Sequence, residues 1–176
     1  TLGTDIVPST AIAGQNQTVT AGALTLSTAP SPTDSILIKG AAGANVTSFN
    51  FAAGSGSSVR VTNISVTGGI SGTDDNTYGA AGVADTSAAL SDVVLTAKLM
   101  DGVTQVGLTK TFVSGVATFD SLNWVINASQ TKKLDLVIST NSAATLTSGE
   151  DWMRFSIETS GVSAVDNDGN TISGGN

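Results

Sequence analysis

The chain has 176 residues, which is long enough for a single domain with a substantial hydrophobic core. It is acidic, with a formal net charge of −7, and its seven basic residues form no cluster of the kind that binds nucleic acids or anionic membranes. It contains no Cys and no His, which excludes thiol nucleophiles, His-dependent triads and His/Cys zinc sites, and no apolar run reaches the roughly 18 residues of a membrane span.

The first 14 residues, TLGTDIVPSTAIAG, are predicted to form a strand segment that precedes the main domain. Its apolar residues are Leu2, Ile6, Val7, Pro8 and Ile12, and all but Val7 share one face of an extended chain. Pro8 has no N–H to give to a strand ladder, which confines such a strand to a sheet edge. Two interpretations stay open: the strand pairs within its own domain, or it adds to the sheet of a neighbouring subunit.

Apolar and polar residues alternate through most of the remaining chain, which predicts a succession of short strands and no long helix. The predicted strands cover residues 18–28, 35–40, 46–53, 59–66, 91–100, 104–113, 115–126, 132–140 and 151–159. Residues 35–40, SILIKG, are continuously apolar at their centre and are therefore expected to be buried on both faces. A last hairpin is predicted around Asp168–Gly169.

Two strands carry more detailed predictions. Residues 59–66, VRVTNISV, place their first two apolar residues on one face and their last two on the other, which predicts a β-bulge near Thr62–Asn63. The alternation in residues 91–100 predicts one inward face, formed by Val93, Leu95, Ala97 and Leu99.

Residues 67–89 are rich in Gly and other small residues and show no periodicity, so we expect a long loop there, with a short helical turn at 84–90. The many short strands and frequent turns predict an all-β fold. We expect an immunoglobulin-like or jelly-roll β-sandwich formed by residues 15–176, with residues 1–14 as its N-terminal extension.

The sequence VTAGALTLS at residues 19–27 resembles the F-x-A-G-T-L-D-L opening of the TasA/camelysin family of secreted fibre-forming proteins, with Ala23 and Thr25 where that family favours Thr and Asp. The second half, from LSDVVLTAKLMDG to TKKLDLVIS, is similar to the immunoglobulin-like modules of prokaryotic surface proteins. The first resemblance implies that an N-terminal strand, here residues 1–12, completes the sheet of the neighbouring subunit.

The sequence AVDNDGN places Asp166, Asp168 and Asn170 around Gly169. Oxygen ligands at alternating positions of a tight loop suit Ca²⁺, although the closing Glu of an EF-hand loop is missing. The same residue types are typical of a hairpin turn. A turn is therefore the favoured interpretation, with a calcium site as the alternative, and no other cofactor is expected.

The acidic pairs Glu150–Asp151 and Asp74–Asp75 are neighbours in sequence, whereas a glycosidase needs two carboxylates that face each other. Trp124 is predicted to lie in the core and Trp152 to be exposed. Candidate N-glycosylation sequons begin at Asn16, Asn45, Asn63 and Asn127.

Ser and Thr together number 47 and only 12% of the residues are charged, a composition that we expect of an exported protein. A start at Thr1 fits a chain whose secretion signal has been removed. We therefore expect a secreted, non-enzymatic β-sandwich subunit of an extracellular filament that polymerises head-to-tail with itself. The alternatives are a carbohydrate-binding or adhesive module that binds surface glycans, and a hydrolase with an acidic site.

Overall fold

The computed structural model describes residues 22–34, 36–71, 89–145, 152–172 and 174–175, and these ranges form the predicted all-β sandwich of two packed, mainly antiparallel sheets. Sheet A has the strand order β12–β1–β2–β8–β4–β5. Its strands are β1 (Leu24–Thr28), β2 (Ala44–Ala53), β4 (Val94–Asp101), β5 (Thr104–Lys110), β8 (Thr131–Thr140) and β12 (Gly174–Gly175).

Sheet B is organised around one long central strand, β3. Its strands are β3 (Val59–Ser71), β6 (Val116–Phe119), β7 (Trp124–Ile126), β9 (Trp152–Ser156), β10 (Val162–Asp166) and β11 (Thr171–Ile172). A four-residue helix, α1 (Leu90–Val93), and a 3₁₀ turn at Thr159–Gly161 complete the regular structure of the described residues.

Strand β3 has partner strands on both sides between Val59 and Thr67, and β9 alone pairs with its last four residues. β7 and β6 follow one another along one side, and β10 and β9 follow one another along the other, so that Ile64 pairs with Phe119 and with Val162. Sheet B is therefore built from one continuous strand flanked by two broken ones, with β11 outside β10.

The inward faces of the two sheets form one core, dominated by aliphatic side chains as the composition predicts. Its largest fully buried side chains are Phe51, Phe119, Ile64, Leu99, Ile126, Leu134, Leu136 and Ile138. Phe49 and Phe51 of β2 are both buried, and the predicted burial of Trp124 is confirmed. The two rings Phe51 and Trp124, one from each sheet, meet edge to face at 5.1 Å between centroids.

The sandwich has two ends. The short-loop end carries the connections 54–58, 102–103, 127–130 and 167–170, and the long-loop end carries the connections 29–43, 111–115 and 141–145. The hairpin predicted around Asp168–Gly169 is confirmed at the short-loop end, where β10 and β11 pair.

The predicted β-bulge near Thr62–Asn63 is confirmed. Asn63 pairs with Ser163 and Val61 pairs with Ala164, so that Thr62 is the additional residue of β3. The bulge changes the parity of the strand and allows the apolar residues on both sides of it to reach the same core.

The prediction of a loop beginning at residue 67 is wrong, because β3 continues to Ser71. Gly68 and Gly69 looked like loop residues, yet Gly68 pairs with Phe155 inside the sheet. A Cβ on Gly68 would lie 2.5 Å from Leu90 Cδ2 and 3.0 Å from the Phe155 ring. This glycine marks a close approach of neighbouring side chains and not a turn. Residues 72–88, the rest of the predicted loop, lie outside the described residues.

Three smaller predictions also need correction. The helix occupies Leu90–Val93, so the helical turn expected at 84–90 overlaps it only at Leu90, and residues 84–88 are outside the described ranges. Leu95 does not face inward, because it is the additional residue of a second bulge: Val94 pairs with Thr140 and Thr96 with Ser139.

Residues 36–40 are not a buried strand. Ile36 is 96% exposed and Ile38 is 74% exposed, and only Leu37 packs against the core. The segment is held over the end of β8 by polar contacts, since the Thr140 hydroxyl donates to Ile38 O and Lys39 Nζ donates to Ala144 O. Consecutive apolar residues were therefore a poor guide to burial here.

Replacing Gly68 tests the close packing over β3. Gly68→Ala is expected to lower the free energy of unfolding by about 1–3 kcal/mol, because its methyl group collides with Leu90 and Phe155. Denaturant unfolding measures the loss, and Leu90→Ala provides the control background. The cost of Gly68→Ala should be smaller once Leu90 is truncated; an equal cost in both backgrounds contradicts the packing explanation.

Candidate functional site

The site that stands out is one lateral side of the sandwich, where β1 of sheet A lies near β10 of sheet B. β11 pairs with β10, and only two residues later β12 pairs in parallel with β1, through Leu24–Gly174 and Thr25–Gly175. The last described stretch of the chain thus crosses from one sheet to the other and bridges the gap between them. We call this gap, bordered by β1 and β10, the seam.

The seam is covered unevenly. Strand β1 pairs with β2 over all five residues, but β12 covers its outer side only at Leu24 and Thr25. Within the described ranges, no strand pairs with the outer side of Leu26–Thr28, which we call the β1 edge. A row of backbone N–H and C=O groups on such an edge is a template for another strand.

The beginning of β1 is held tightly in the seam. A Cβ on Gly22 would lie 2.9 Å from Ile172 Cδ1 and 3.1 Å from Asp166 Cβ, and the N–H of Gly54 donates to Ala23 O at 2.9 Å. Glycine is needed at position 22 because β10 and β11 pass so close to it. This contact fixes the point, at the short-loop end, where residues 1–21 join the sandwich.

Residues predicted to act in assembly, Leu2, Ile6, Val7, Pro8 and Ile12, lie outside the described residues. The strand-donor assignment therefore stays a prediction. What the structure adds is the location of the β1 edge, which sequence reasoning missed because an unpaired edge is a property of the tertiary fold and has no local sequence signal.

The candidate calcium ligands lie together in the β10–β11 turn, where they bond to one another. Asp166 Oδ1 accepts the backbone N–H groups of Asp168, at 2.9 Å, and Asn170, at 2.8 Å. Asp166 Oδ2 accepts the Asn170 side-chain amide at 3.0 Å. These donors, the Asn170 side chain first, lower the pKa of Asp166. The arrangement is that of a carboxylate-stabilised turn.

In the described part of the chain, no group of three or more acidic side chains is arranged to hold a metal ion. The described helices also include none that is long and apolar enough to cross a membrane. The acidic pairs Asp74–Asp75 and Glu150–Asp151 are outside the described ranges.

The four sequons occupy different settings. Asn127 is exposed in the β7–β8 turn and Asn45 is exposed near the start of β2, whereas Asn63 is half-buried beside the bulge of β3. Asn16 lies outside the described residues. Exposure alone favours Asn127 and Asn45 as acceptors, and glycosylation of any of them stays a prediction.

A polar cluster that sequence reasoning missed links the two sheets at the short-loop end. Asp101 Oδ2, at the end of β4, accepts the indole N–H of Trp124 at 2.9 Å and the Lys132 ammonium at 3.1 Å. Lys132 Nζ also lies 5.8 Å from the Trp124 ring centroid. We call this cluster the Asp101 latch. The hydrogen bond from Trp124 is the main reason that the pKa of Asp101 is lowered, and Lys132 adds to it against the opposing effect of burial.

Both tryptophans bear on glycan binding. Trp124 is buried and its polar N–H is engaged by Asp101, so its ring presents no face to a sugar. Trp152 is 46% exposed at the start of β9, as predicted. A single half-exposed ring is the one feature among the described residues that favours carbohydrate recognition.

Comparisons with protein-family models, curated proteins and solved structures find no match to this chain. The resemblances to TasA-like fibre proteins and to immunoglobulin-like surface modules therefore stay expectations drawn from the sequence.

The Asp101 latch makes a prediction about stability and pH. Asp101→Ala is expected to lower the free energy of unfolding at pH 7 by about 1–2 kcal/mol. The expected loss is small because the Asp101 carboxylate is partly exposed and solvent screens its interactions. The folded-state pKa lies below the ordinary value of 3.8, so the carboxylate stabilises the fold above that value and loses its effect as pH falls through the folded pKa. Urea unfolding at pH 7 and near pH 2.5 measures the difference in free energy of unfolding between wild type and variant, and this difference should be smaller in acid. Asp34→Ala, at an exposed position, is the control; a difference that persists in acid contradicts the ionic role.

The turn at Asp166 makes a separate prediction about metal. Neither added Ca²⁺ nor chelation should change the melting temperature, because the Asp166 oxygens already accept three hydrogen bonds. Asp166→Ala should lower the melting temperature by the same amount with and without calcium, because the variant loses the hydrogen bonds of the turn in both cases. A drop in melting temperature on chelation that disappears in Asp168→Ala would instead establish the calcium site.

Proposed function

We propose that the protein is a structural subunit of an extracellular filament, and that each subunit donates its N-terminal strand, residues 1–12, to the β1 edge of the next. The observation that carries the proposal is the incomplete seam. The chain's own β12 covers β1 at Leu24–Thr25, and the next three residues of the same strand have no partner on that side among the described residues. A donated strand extends the sheet from the point where β12 ends.

The chemistry of the edge supports an apolar donor. Leu26 is partly buried against the core. It pairs with Phe51 on β2, and Phe49 lies two residues further along that strand, opposite Thr28. A strand laid beside β1 gains main-chain hydrogen bonds, and its inward side chains contact the same apolar layer. Leu2, Ile6 and Ile12 on one face of the donor segment supply side chains of that kind.

The positions of donor and edge favour an open polymer. Residues 1–21 join the sandwich at Gly22, at the short-loop end, whereas the unpaired part of β1 extends toward the long-loop end. A contact between two different surfaces of identical subunits is heterologous, and it propagates as a filament unless the rotation closes a ring. Self-association through donor and edge therefore gives a head-to-tail homopolymer.

An extracellular role is supported by composition. Few charges and many Ser and Thr residues give a surface that suits a secreted protein, and a large sandwich core folds without disulfides. The proposal assigns no catalytic group. The alternative function, glycan binding, has only the exposed ring of Trp152 in its favour.

Deleting residues 1–12 is the direct test. The deletion should leave a folded monomer that no longer polymerises, because the donor contributes backbone hydrogen bonds and three aliphatic side chains. At roughly 1.5–3 kcal/mol for each buried side chain, these contribute about 5–9 kcal/mol to the subunit contact. Electron microscopy and sedimentation of wild type and variant measure the outcome. Filaments of normal length from the truncated protein refute strand donation, and monomeric wild type that binds glycans favours the alternative.

A point substitution refines the test. Ile6→Asp should weaken polymerisation almost as strongly as the deletion, because it places a carboxylate among apolar groups without a basic partner. Ser9→Asp adds the same charge on the opposite face of the segment and serves as the matched control. Similar losses in both variants would point to general charge repulsion rather than to burial of one face.

A further inference from the structure

Among the described strands, sheet A has a second lateral edge, formed by β5, and this edge is irregular. Leu99 of β4 pairs with Val106 and Ala97 pairs with Lys110. The one residue between them on β4, Lys98, therefore stands opposite three residues of β5, 107–109. We call these three residues the β5 bulge. Strand β1, in contrast, pairs with β2 in an unbroken register over five residues.

The β5 bulge is held by specific contacts. Gly107 has a φ of +75°, and a Cβ at this position would collide with Leu122 Cδ2. Leu122 is buried and donates its N–H to Thr62 O in sheet B, so the atom that packs against Gly107 is fixed from the opposite sheet. Only glycine meets both demands, the left-handed backbone and the missing side chain.

A side chain also caps the backbone of the bulge. Gln105 Nε2 donates to Gly107 O at 3.0 Å and to Thr109 Oγ1 at 3.3 Å. The carbonyl of Gly107 thus has a partner within its own strand. Leu108, at the centre of the bulge, is 74% exposed and contributes little to the core. The bulge is maintained by contacts of Gly107 and Gln105 and not by burial of its central residue.

Bulges interrupt the regular row of N–H and C=O groups that a pairing strand requires, and edge strands use them to prevent association. We infer that the β5 bulge closes this edge of sheet A to strand addition, so that a strand from a second copy of the chain adds at the β1 edge and not at β5. The identity of the strand at the β1 edge rests on the proposed function, whereas the closure of β5 is a property of the single subunit.

Deleting residues 107 and 108 is the sharpest test, because it leaves Thr109 alone opposite Lys98 and restores a one-to-one register between Val106 and Lys110. We expect the Δ107–108 variant to keep its β-sheet circular dichroism and to form dimers or larger species at concentrations where the parent does not. The test is made in the full-length Ile6→Asp chain, in which strand donation is suppressed. Sedimentation velocity measures the change.

Two controls separate backbone pairing from other causes. Leu108→Ser removes the exposed side chain but keeps the bulge, and it should leave the sedimentation of the parent unchanged. Thr109→Lys in the Δ107–108 background places a charge on the reopened edge and should restore the monomer. A folded Δ107–108 variant that sediments like its parent overturns the inference.

Hydrogen exchange on the wild-type protein is a second test, and it does not depend on whether the Δ107–108 variant folds. If β5 is closed, the amides of residues 107–109 exchange as fast in assembled protein as in the monomer, and protection of these amides on assembly overturns the inference. Failure of the proposed function gives a different result: Ile6→Asp then leaves wild-type assembly unchanged, whatever the Δ107–108 variant does.

Discussion

The whole of sheet B depends on the pairing of one strand. β6, β7, β9 and β10 all use β3 as their hydrogen-bonding neighbour, and β11 is attached through β10. A strand of 13 residues with partners on both sides along most of its length cannot tolerate Pro and accepts few changes of register. Its bulge at Thr62 is the point at which its regular pairing with β10 is interrupted, whereas Gly68 pairs regularly but leaves no room for a side chain. Its buried residues Val59, Val61, Ile64 and Val66 belong to the core that joins the two sheets.

Charge is distributed so that the framework itself is almost neutral. The described residues hold eight acidic and seven basic side chains, a net charge of −1, and the other six acidic residues lie in 1–21, 72–88 and 146–151. Six of these fifteen charged side chains form three ion pairs. Lys110 contacts Asp120, Lys133 contacts Asp135, and Lys132 belongs to the Asp101 latch. The whole chain carries a net charge of −7, so two copies repel one another at long range, and salt weakens this repulsion.

The sequence was a good guide wherever one strand's own alternation decided the outcome. The strand predicted at residues 132–140 is β8, in which Leu134, Leu136 and Ile138 are buried, and the change of apolar face within residues 59–66 located the bulge at Thr62. The predictions that were wrong concern residues whose structure depends on contacts with another strand or helix. Gly68 lies inside a strand, where Leu90 and Phe155 occupy the space that a side chain would need. The local sequence around residue 68 does not indicate these neighbours.

The candidate site was less accessible to sequence reasoning than the fold. The opening segment indicated a strand that could be donated, but the place that would receive it depends on which strands end up at sheet edges. Asp101, Trp124 and Lys132 are far apart in sequence and meet only because β4, β7 and β8 come together at the short-loop end. Pairing order and contacts between sheets are set by the collective packing of the core, which a single periodicity does not encode.

Among the described residues, the two edges of sheet A differ in the regularity of their pairing. An open sheet with two equivalent edges can pair at either one, and copies joined edge to edge form unregulated stacks. Here β5 carries a three-residue bulge capped by Gln105, while β1 is regular and only partly covered by the glycines of β12. Glycine is a poor strand former and has no side chain to pack, so β12 contributes little to its pairing with Leu24 and Thr25. Under the proposed strand donation, the regular edge of β1 is the edge of sheet A that receives the added strand, and repeated addition at one place per subunit gives a linear polymer.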